Sequence, residues 1–295
     1  MPLLEPQPQR LSRPDGTDLA VYQRDPIEDT ADVSVVFVHG WQASARVWND
    51  VLSRTTLDGR LRVVTYDQRG HGASTHGRAP ADISVLARDL AAVLRAHAAD
   101  LPVVLAGHSM GAMTVMMHAL LSAPVASPQV AGVLLASPSS GRLDLRRHDQ
   151  PALTRALGSA RSVIASACAT APRPVQYLRN TLRPSHEPRP PLDVAAAWYR
   201  AILSYDVSGS LDALANAPVH LVTGAQDRLI PPIHTCRLAA ELPHARVHVA
   251  EGAGHGLPGE RPDLVADLLR ELVTGARTQL TLPGHGEGRS QLLTA

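Results

Sequence analysis

The sequence predicts an α/β fold in which a mainly parallel sheet is covered by helices on both faces. Short apolar runs with the length of buried strands recur along the chain, and segments with a helical spacing of apolar residues lie between several of them. Strands that alternate with helices run parallel, because each helix returns the chain to the edge at which the previous strand began. The hydrophobic fraction of 44% over 295 residues is sufficient for such a core.

The elements are predicted in order from the N-terminus, where a Pro-rich arm precedes a turn signal at residues 13–16. Residues 9–13 and 18–24 are predicted to pair as an antiparallel hairpin. Asp82 is a candidate N-cap for the helix that follows it. Buried strands are predicted at residues 33–38, 61–66, 103–106, 130–136, 219–223 and 246–250. Helices are predicted at residues 44–52, 83–97, 110–121 and 263–273.

One long segment interrupts this alternation. Residues 138–208 contain no predicted strand, and their helical stretches are separated by prolines. These stretches cover residues 149–171, 175–182 and 192–204. We therefore predict a helical cap over residues 138–208, inserted into a core domain formed by residues 1–137 and 209–274. The chain becomes polar and Gly-rich after Thr274, so residues 275–295 are predicted to form a disordered tail.

The composition excludes several classes of site. All 28 basic residues are Arg, so there is no Schiff-base lysine, P-loop lysine or Ser–Lys dyad. The net charge of +1 argues against general nucleic-acid binding. No apolar run reaches the length of a membrane span and the first residues lack the pattern of a signal peptide, so we expect a cytoplasmic protein. Cys168 and Cys236 have no metal or redox spacing, which predicts two reduced, buried thiols, with a disulfide as the alternative.

The sequence Gly-His-Ser-Met-Gly at residues 107–111 lies between a predicted buried strand and a predicted helix. Taken alone, this pattern is equally consistent with a Gly-rich turn. A strand before it and a helix after it favour a nucleophile elbow, in which Ser109 stands on a sharp turn at the edge of the sheet. Side chains at Gly107 and Gly111 would collide where strand and helix cross. The backbone N–H of Met110 is then a candidate donor to a developing oxyanion.

A serine nucleophile requires a base and a carboxylate that orients the base. His255 lies in a Gly-rich loop after the last predicted strand, and Asp227 follows the strand before it. Separately, His255 is also consistent with a simple loop histidine and Asp227 with a helix cap. Because the order Ser, Asp, His follows a nucleophile elbow, the three residues together predict a catalytic triad. Asp144 is the first alternative for the acid.

With these motifs the chain resembles the α/β-hydrolases that carry a cap, over about residues 15–273. The motifs occur in the family's order at residues 39–41, 67–74, 107–111, 224–227 and 254–255. The resemblance implies that the backbone N–H of Trp41 is the second oxyanion donor. It also implies that His39 and the loop at residues 67–74 shape the oxyanion loop.

The nucleophile separates branches of that family. Because it is Ser109 and not an Asp, the sequence does not resemble the haloalkane dehalogenases and epoxide hydrolases. Residues 39–48 resemble the cofactor-free perhydrolases and haloperoxidase-like esterases. Those enzymes commonly carry Pro after the Trp, where this chain has Gln42, so peracid chemistry is a side alternative.

The resemblance implies hydrolysis of a carboxylic ester through an acyl-enzyme, with Ser109, Asp227 and His255 as the triad. It implies neither a cofactor nor a metal, and the other histidines have no metal-ligand spacing. A thioesterase, a lactonase, an acyltransferase, or a cyclisation or retro-aldol enzyme of secondary metabolism could use the same triad. A non-catalytic binding module on a hydrolase scaffold is a further alternative, against which the complete triad argues.

Arginine is concentrated in the predicted cap. Residues 141–200 contain ten Arg and four acidic residues, a balance of +6, which leaves −5 for the rest of the chain. A solvated helix surface is the simpler interpretation. The alternative is that these arginines attract a small-molecule acyl substrate that is anionic, such as a carboxylate or a phosphopantetheine-borne acyl group.

Overall fold

The computed structural model of the chain describes residues 7–26, 30–55, 60–122, 129–143 and 190–281. The strands are β1 (Gln9–Ser12), β2 (Asp18–Arg24), β3 (Val33–Val38), β4 (Leu61–Tyr66), β5 (Val103–His108), β6 (Val130–Ala136), β7 (Val219–Gly224) and β8 (Arg246–Ala250). The α-helices are α1 (Asn49–Arg54), α2 (Ile83–His97), α3 (Met110–Leu121), α4 (Leu192–Ser204), α5 (Pro232–Glu241), α6 (Leu257–Glu260) and α7 (Pro262–Thr281). Short 3-10 helices cover Ala45–Trp48 and Asp212–Leu214.

The eight strands form one sheet in the order β1-β2-β4-β3-β5-β6-β7-β8. The pairs β1–β2 and β2–β4 are antiparallel, which confirms the predicted N-terminal hairpin. All other neighbours are parallel, so β3, β5, β6, β7 and β8 end at the same edge of the sheet. Ligand and catalytic groups of open parallel sheets lie outside this carboxyl edge, which makes it the place to look for a site.

Helices cover both faces of the sheet, as predicted. Val36 and Val38 of β3 belong to the core that includes residues of α2, α3, α4 and α5. Val35 and Phe37 of the same strand belong to the core formed with α1, α6 and α7. All four side chains are buried, as expected of a parallel strand covered from both sides. The structure therefore confirms the α/β fold class.

Some of the described helices differ from the prediction, and others agree with it. Helix α5 is not predicted from the sequence, because its apolar spacing is interrupted by His234 and Thr235, which are nevertheless buried. Residues 44–52 were expected to form one helix and instead form a 3-10 helix that continues into α1. At the start of α2 the prediction is confirmed, since the carboxylate of Asp82 accepts a hydrogen bond from the N–H of Ser84 at 2.7 Å.

The predicted tail at residues 275–295 begins too early. Helix α7 continues to Thr281, and residues 282–295 lie outside the described residues. The helix continues because Ala276 is buried and because Arg277 Nη2 lies 2.9 Å from Asp32 Oδ1. Gly275, the first residue of the predicted tail, lies within this helix.

Part of the predicted cap lies outside the described residues, including its stretches 149–171 and 175–182, and with them Asp144 and Cys168. The third predicted stretch is helix α4, with the predicted bounds. Cys236 is buried. The cap at residues 138–208 therefore stays a prediction.

The chain segments that flank the predicted cap are adjacent. The N–H of Val207 donates to the carbonyl oxygen of Ser140 at 2.7 Å. The carboxylate of Glu241, on α5, accepts from the Ser140 hydroxyl at 2.7 Å and from the N–H of Gly209 at 2.8 Å. Ser140 and Val207 are therefore adjacent in the structure although 67 positions separate them in the sequence. None of the helices in the described part of the chain combines the length and apolar character that a membrane crossing requires.

Candidate active site

Ser109 stands between the end of β5 and the start of α3 with φ 56° and ψ −119°. A positive φ is costly for a residue with a side chain and persists only where the surroundings impose it. Here the N–H of Ser109 donates to the carbonyl oxygen of Ala136 at 2.9 Å, which ties the turn to the neighbouring strand β6. The result is a sharp strand-to-helix turn with the serine at its apex, at the carboxyl edge of the sheet.

The two glycines of the motif are required by close backbone contacts. A Cβ added to Gly107 would lie 2.6 Å from the carbonyl oxygen of Gly111. A Cβ added to Gly111 would lie 2.1 Å from the carbonyl oxygen of Val38. Backbone atoms cannot move aside as a flexible side chain can, so only glycine fits at either position.

Ser109, His255 and Asp227 form a hydrogen-bonded series. His255 Nε2 lies 2.9 Å from Ser109 Oγ, and His255 Nδ1 lies 2.8 Å from Asp227 Oδ2. A carboxylate only accepts hydrogen bonds, so Nδ1 carries the proton and Nε2 accepts from the serine hydroxyl. The imidazole remains 21% exposed, whereas the Asp227 side chain is fully buried. The three side chains singled out in the sequence therefore meet at one place.

Asp227 is held on both of its oxygens. Oδ1 accepts hydrogen bonds from the backbone N–H groups of Leu229 and Ile230, both at 2.9 Å, while Oδ2 faces His255. Burial alone would raise the pKa of Asp227, but the charge and hydrogen bond of His255 and the two backbone donors together lower it below its usual value. The group is therefore a fixed carboxylate.

The loop that carries His255 is fixed from two sides. A Cβ added to Gly224, at the end of β7, would lie 2.1 Å from the carbonyl oxygen of Gly254, so the two loops touch through their backbones. The carbonyl oxygen of His255 lies 2.8 Å from His108 Nε2. A hydrogen bond from His108 was not predicted from the sequence. The position of His108 next to Ser109 is the one feature of the sequence that could have indicated its contact with His255.

The candidate oxyanion donors belong to two chain segments that adjoin Ser109. Met110 is the first residue of α3, where backbone N–H groups have no partner within the helix. Gly40, next to Trp41, approaches the serine so closely that an added Cβ would lie 3.2 Å from Ser109 Cβ. Gln42 follows with φ 56°, a left-handed backbone conformation that is uncommon for a residue with a side chain.

The side chain of Trp41 joins its loop to helix α4. Trp41 Nε1 donates to the carbonyl oxygen of Ala195 at 3.1 Å. The indole also stacks on the ring of Tyr199, with centroids 5.2 Å apart and planes inclined by 29°. The predicted oxyanion loop and the described helix of the predicted cap are therefore in direct contact.

Asp67 organises the loop at residues 67–74. Its Oδ1 accepts from the N–H of Ala45 and its Oδ2 from the N–H of Ala73, both at 2.8 Å. Gly72 has φ +52°, and an added Cβ there would lie 2.2 Å from Asp67 Oδ2. The carboxylate thus connects this loop to the chain that follows Trp41.

The described residues contain no group of three or more His, Cys, Asp or Glu arranged to hold a metal ion. Away from the site, His220 on β7 and His248 on β8 form a pair of histidines. Nδ1 of His220 lies 2.9 Å from Nε2 of His248. The groups at the carboxyl edge can abstract a proton, attack an electrophilic carbon and donate hydrogen bonds to an oxyanion.

Comparison with known proteins agrees with this architecture. A profile described as "Alpha/beta hydrolase family" matches residues 35–268. The structure is similar to that of an esterase from Thermogutta terrifontis, with a TM-score of 0.65 and 24% identity over 91% of this chain and 99% of the other. It is also similar to an esterase from Exiguobacterium antarcticum, with a TM-score of 0.67 and 20% identity over 90% and 99%. The fold is thus that of an α/β-hydrolase.

The chain is also similar in sequence to curated proteins. The non-heme chloroperoxidase CPO-A1 of Kitasatospora aureofaciens is 27% identical over 275 residues, which cover 81% of this chain and 91% of the relative. The putative carbamate hydrolase RutD of Caulobacter segnis is 27% identical over 274 residues, which cover 84% and 98%. Because the family profile matches most of its length, the chain belongs to the alpha/beta hydrolase family and is a hydrolase.

Proposed function

We propose that this chain hydrolyses carboxylic esters through an acyl-enzyme intermediate on Ser109. The observation that carries the proposal is the unbroken series of hydrogen bonds from Ser109 Oγ through the imidazole of His255 to the buried carboxylate of Asp227. A serine hydroxyl is a weak nucleophile by itself, and an adjacent imidazole that accepts its proton makes it reactive.

In the first step Ser109 Oγ attacks the ester carbonyl carbon while its proton passes to His255 Nε2. Asp227 holds Nδ1–H, which leaves Nε2 as the acceptor and stabilises the imidazolium that forms. His255 then gives this proton to the departing alcohol, and the acyl group remains on Ser109. A water molecule, deprotonated by His255, attacks the acyl carbon, and the serine leaves with a proton from His255 as the acid is released.

The negative charge of each tetrahedral intermediate needs donors that are in place before the reaction. We assign this role to the backbone N–H groups of Met110 and Trp41. Met110 follows Ser109 directly, and Gly40, next to Trp41, approaches the serine closely. This proximity supports the assignment, because the carbonyl oxygen of a bound ester must lie beside the nucleophile. We further propose that residues 138–208 form the cap over this edge, since the Ser140–Val207 hydrogen bond brings the two ends of the segment together.

Oxidation of halide through a peracid is the second candidate, because of the similarity to chloroperoxidase CPO-A1. The oxyanion loop argues against it. Gln42 has φ 56°, whereas proline is restricted to a φ near −65°. A proline, which the perhydrolase-like enzymes commonly carry here, would therefore require another backbone conformation. Peracid formation from acetate and hydrogen peroxide by the purified enzyme, at a rate above its ester hydrolysis, would favour this second candidate.

The proposal is tested with Ser109→Ala. The wild-type chain is expected to react with a fluorophosphonate and to hydrolyse at least one member of a panel of p-nitrophenyl esters, thioesters, lactones and carbamates. Ser109→Ala should lose the labelling and reduce kcat by about three orders of magnitude or more. Ser34→Ala is the matched control. Ser34 is a buried serine at the amino-terminal end of β3, away from the carboxyl edge, and its hydroxyl has no hydrogen-bond partner among the described residues. Substantial turnover by Ser109→Ala would contradict the acyl-enzyme mechanism.

A further inference from the structure

Gln68 is a fully buried amide that the mechanism above does not use. It follows Asp67 at the carboxyl end of β4, behind the candidate oxyanion loop. A buried primary amide must find partners for its two N–H groups and its oxygen, or it destabilises the fold. The partners of Gln68 are therefore informative about what it holds in place.

The first partner is His39, which is also fully buried and lies two residues before Trp41. The side-chain amide of Gln68 donates to the carbonyl oxygen of His39 at 2.6 Å. The backbone N–H of Gln68 donates to His39 Nε2 at 2.8 Å. His39 Nδ1 lies 2.7 Å from the carbonyl oxygen of Gly40, to which it donates. One glutamine thus fixes both the backbone and the ring of the residue from which the oxyanion loop departs.

The ring of His39 is held in one protonation state by its surroundings. Burial lowers the pKa of His39 to about 4, although the hydrogen bond to Gly40 opposes this effect. The neutral ring accepts from Gln68 at one nitrogen and donates to Gly40 at the other. The ring is therefore neutral at neutral pH.

The second partner of Gln68 is Thr114, on α3. The Thr114 hydroxyl lies 2.9 Å from Gln68 Oε1 and also 2.9 Å from the carbonyl oxygen of Met110. Both oxygens are acceptors, so the single hydroxyl proton is shared between them and links the two groups. Thr114 is fully buried and lies one helical turn after Met110. The amide of Gln68 therefore reaches the helix whose first N–H is the other candidate oxyanion donor.

The two donor segments also meet directly. The position of a Cβ on Gly111 would be 2.1 Å from the carbonyl oxygen of Val38 and 2.7 Å from that of His39. The end of β3 and the first turn of α3 are thus in backbone contact, with Gln68 bonded to both. The backbone contact limits how closely the end of β3 and the first turn of α3 can approach. Hydrogen bonds to specific partners are needed to fix how the two segments are positioned along each other.

We propose that Gln68 is a positioning residue that sets the separation of the two oxyanion donors, the N–H of Trp41 and the N–H of Met110, by bonding His39 and Thr114 at once. The inference rests on the proposed function, because it assigns a role in stabilising the same tetrahedral intermediate. An oxyanion hole stabilises charge only when both donors lie about 2.7–3.1 Å from the oxyanion. A displacement of one donor therefore reduces the rate of the chemical step more than it reduces substrate binding.

The test uses Gln68→Met and Thr114→Val, two replacements of similar size that each remove one side of this link. Each variant is expected to lower kcat for p-nitrophenyl butyrate by about 10- to 100-fold, with KM changed less than about 3-fold. The affinity for phenylboronic acid, which forms a tetrahedral adduct with an active serine, should fall by a similar factor. The rate of fluorophosphonate labelling should fall in parallel, and the midpoint of the kcat/KM pH profile should stay where it is.

Two further variants separate positioning from stability. Thr114→Ser keeps the hydroxyl and is expected to recover most of the loss seen with Thr114→Val. Thr65→Val is the matched control: Thr65 is fully buried on β4, and its hydroxyl has no partner within the described part of the chain. It should lower neither kcat nor boronic acid affinity, whatever it does to the melting temperature.

The outcomes distinguish this inference from the function on which it rests. A wild-type chain that neither reacts with the fluorophosphonate nor hydrolyses any ester overturns both. The positioning role alone is overturned if the wild-type chain is active while Gln68→Met and Thr114→Val keep normal kcat and boronic acid affinity and only melt at lower temperature. If Gln68→Met does not fold, Thr114→Val decides by the same measurements, because valine keeps the β-branched shape and the size of threonine.

Discussion

His108 Nε2 lies 2.8 Å from the carbonyl oxygen of His255, so the residue before the nucleophile is hydrogen-bonded to the backbone of the candidate base. The two rings are inclined by 46° with centroids 5.1 Å apart. A carbonyl oxygen only accepts, so His108 carries its proton on Nε2. Burial, together with the nearby His255, lowers the pKa of His108 to about 3. The His108 ring is therefore neutral at neutral pH.

His108→Phe is expected to lower kcat by about 10-fold, because the loop that carries His255 loses a fixed contact and a small misplacement of a base is costly. His108→Gln places an amide N–H near the same point and should recover most of the rate. The pH at which kcat/KM reaches half its maximum should be the same for wild type and His108→Phe. A shift of that midpoint, or equal rates for all three proteins, would contradict the positioning role.

Asp227→Asn is expected to lower kcat by about four orders of magnitude while the chain keeps its fold. The N–H groups of Leu229 and Ile230 require an oxygen at the Oδ1 position, so the new NH₂ group must face His255. That group donates to Nδ1 and forces the proton onto Nε2, where it blocks transfer from Ser109. Steady-state kinetics and a melting curve measure the two effects. A near-normal rate would mean that another acid, such as Asp144, orients the base.

The elbow glycines make a paired prediction with a control in the same chain. Gly111→Ala should abolish detectable activity and lower the melting temperature, because its Cβ would lie 2.1 Å from the Val38 carbonyl oxygen. Gly275→Ala should stabilise the protein by about 1 kcal/mol, since alanine is the better helix former and nothing lies within 4 Å of its Cβ. Thermal melts and ester hydrolysis of both variants provide the measurement. An active Gly111→Ala enzyme would contradict the crossing geometry of strand and helix.

The sequence is sufficient to predict elements whose signals are local. The strand–glycine–serine–glycine–helix order predicts the turn at Ser109, and the residues after the last two strands predict where Asp227 and His255 lie. Parallel strands end at one edge, which is why residues far apart in sequence meet there. Helix α5 escapes prediction because it buries His234 and Thr235, polar residues that normally indicate an exposed face.

Contacts between distant segments could not be predicted. The bond from His108 to His255 joins residues 147 positions apart, and the bond from Thr114 to Gln68 joins residues 46 positions apart. Nothing in the identity of these residues indicates their partners, because His, Thr and Gln satisfy their hydrogen bonds in many ways. Similarly, the end of α7 depends on the contact of Arg277 with Asp32, which no local pattern contains.

The arginine-rich segment at residues 141–200 makes a prediction about salt. Two of its arginines, Arg142 and Arg200, lie in the described residues and are exposed, and the others lie outside them. If this excess of positive charge attracts substrate, kcat/KM for an anionic ester such as p-nitrophenyl hemisuccinate should fall several-fold as ionic strength rises from about 0.02 to 0.5 M, because the Debye length shortens. The neutral p-nitrophenyl butyrate is the control and should change little. An equal response of the two esters would leave the arginines as a solvated surface.

Acid should destabilise the fold through its buried histidines, and His118 allows this to be tested away from the candidate site. His118 lies on α3 and is 3% exposed. Burial lowers its pKa to about 4; the hydrogen bond to the backbone of Ala87 opposes the shift, and Arg95 on α2 adds to it. In the unfolded chain a histidine titrates near 6.5, so below this pH the unfolded state binds more protons than the folded state. Stability is therefore lost as the pH falls from about 6.5 towards 4.

His118→Leu removes the contribution of His118 titration to the pH dependence of stability. Between pH 7 and pH 5 the variant should therefore lose roughly 2 kcal/mol less unfolding free energy than wild type. Guanidinium titrations at the two pH values measure the difference, and taking the difference cancels the effect of the substitution on packing. Met117→Leu, at the neighbouring position of the same helix, carries no ionisable group and should reproduce the wild-type difference. If His118→Leu loses as much stability between pH 7 and pH 5 as wild type does, the ring of His118 is protonated equally in the folded and unfolded chains.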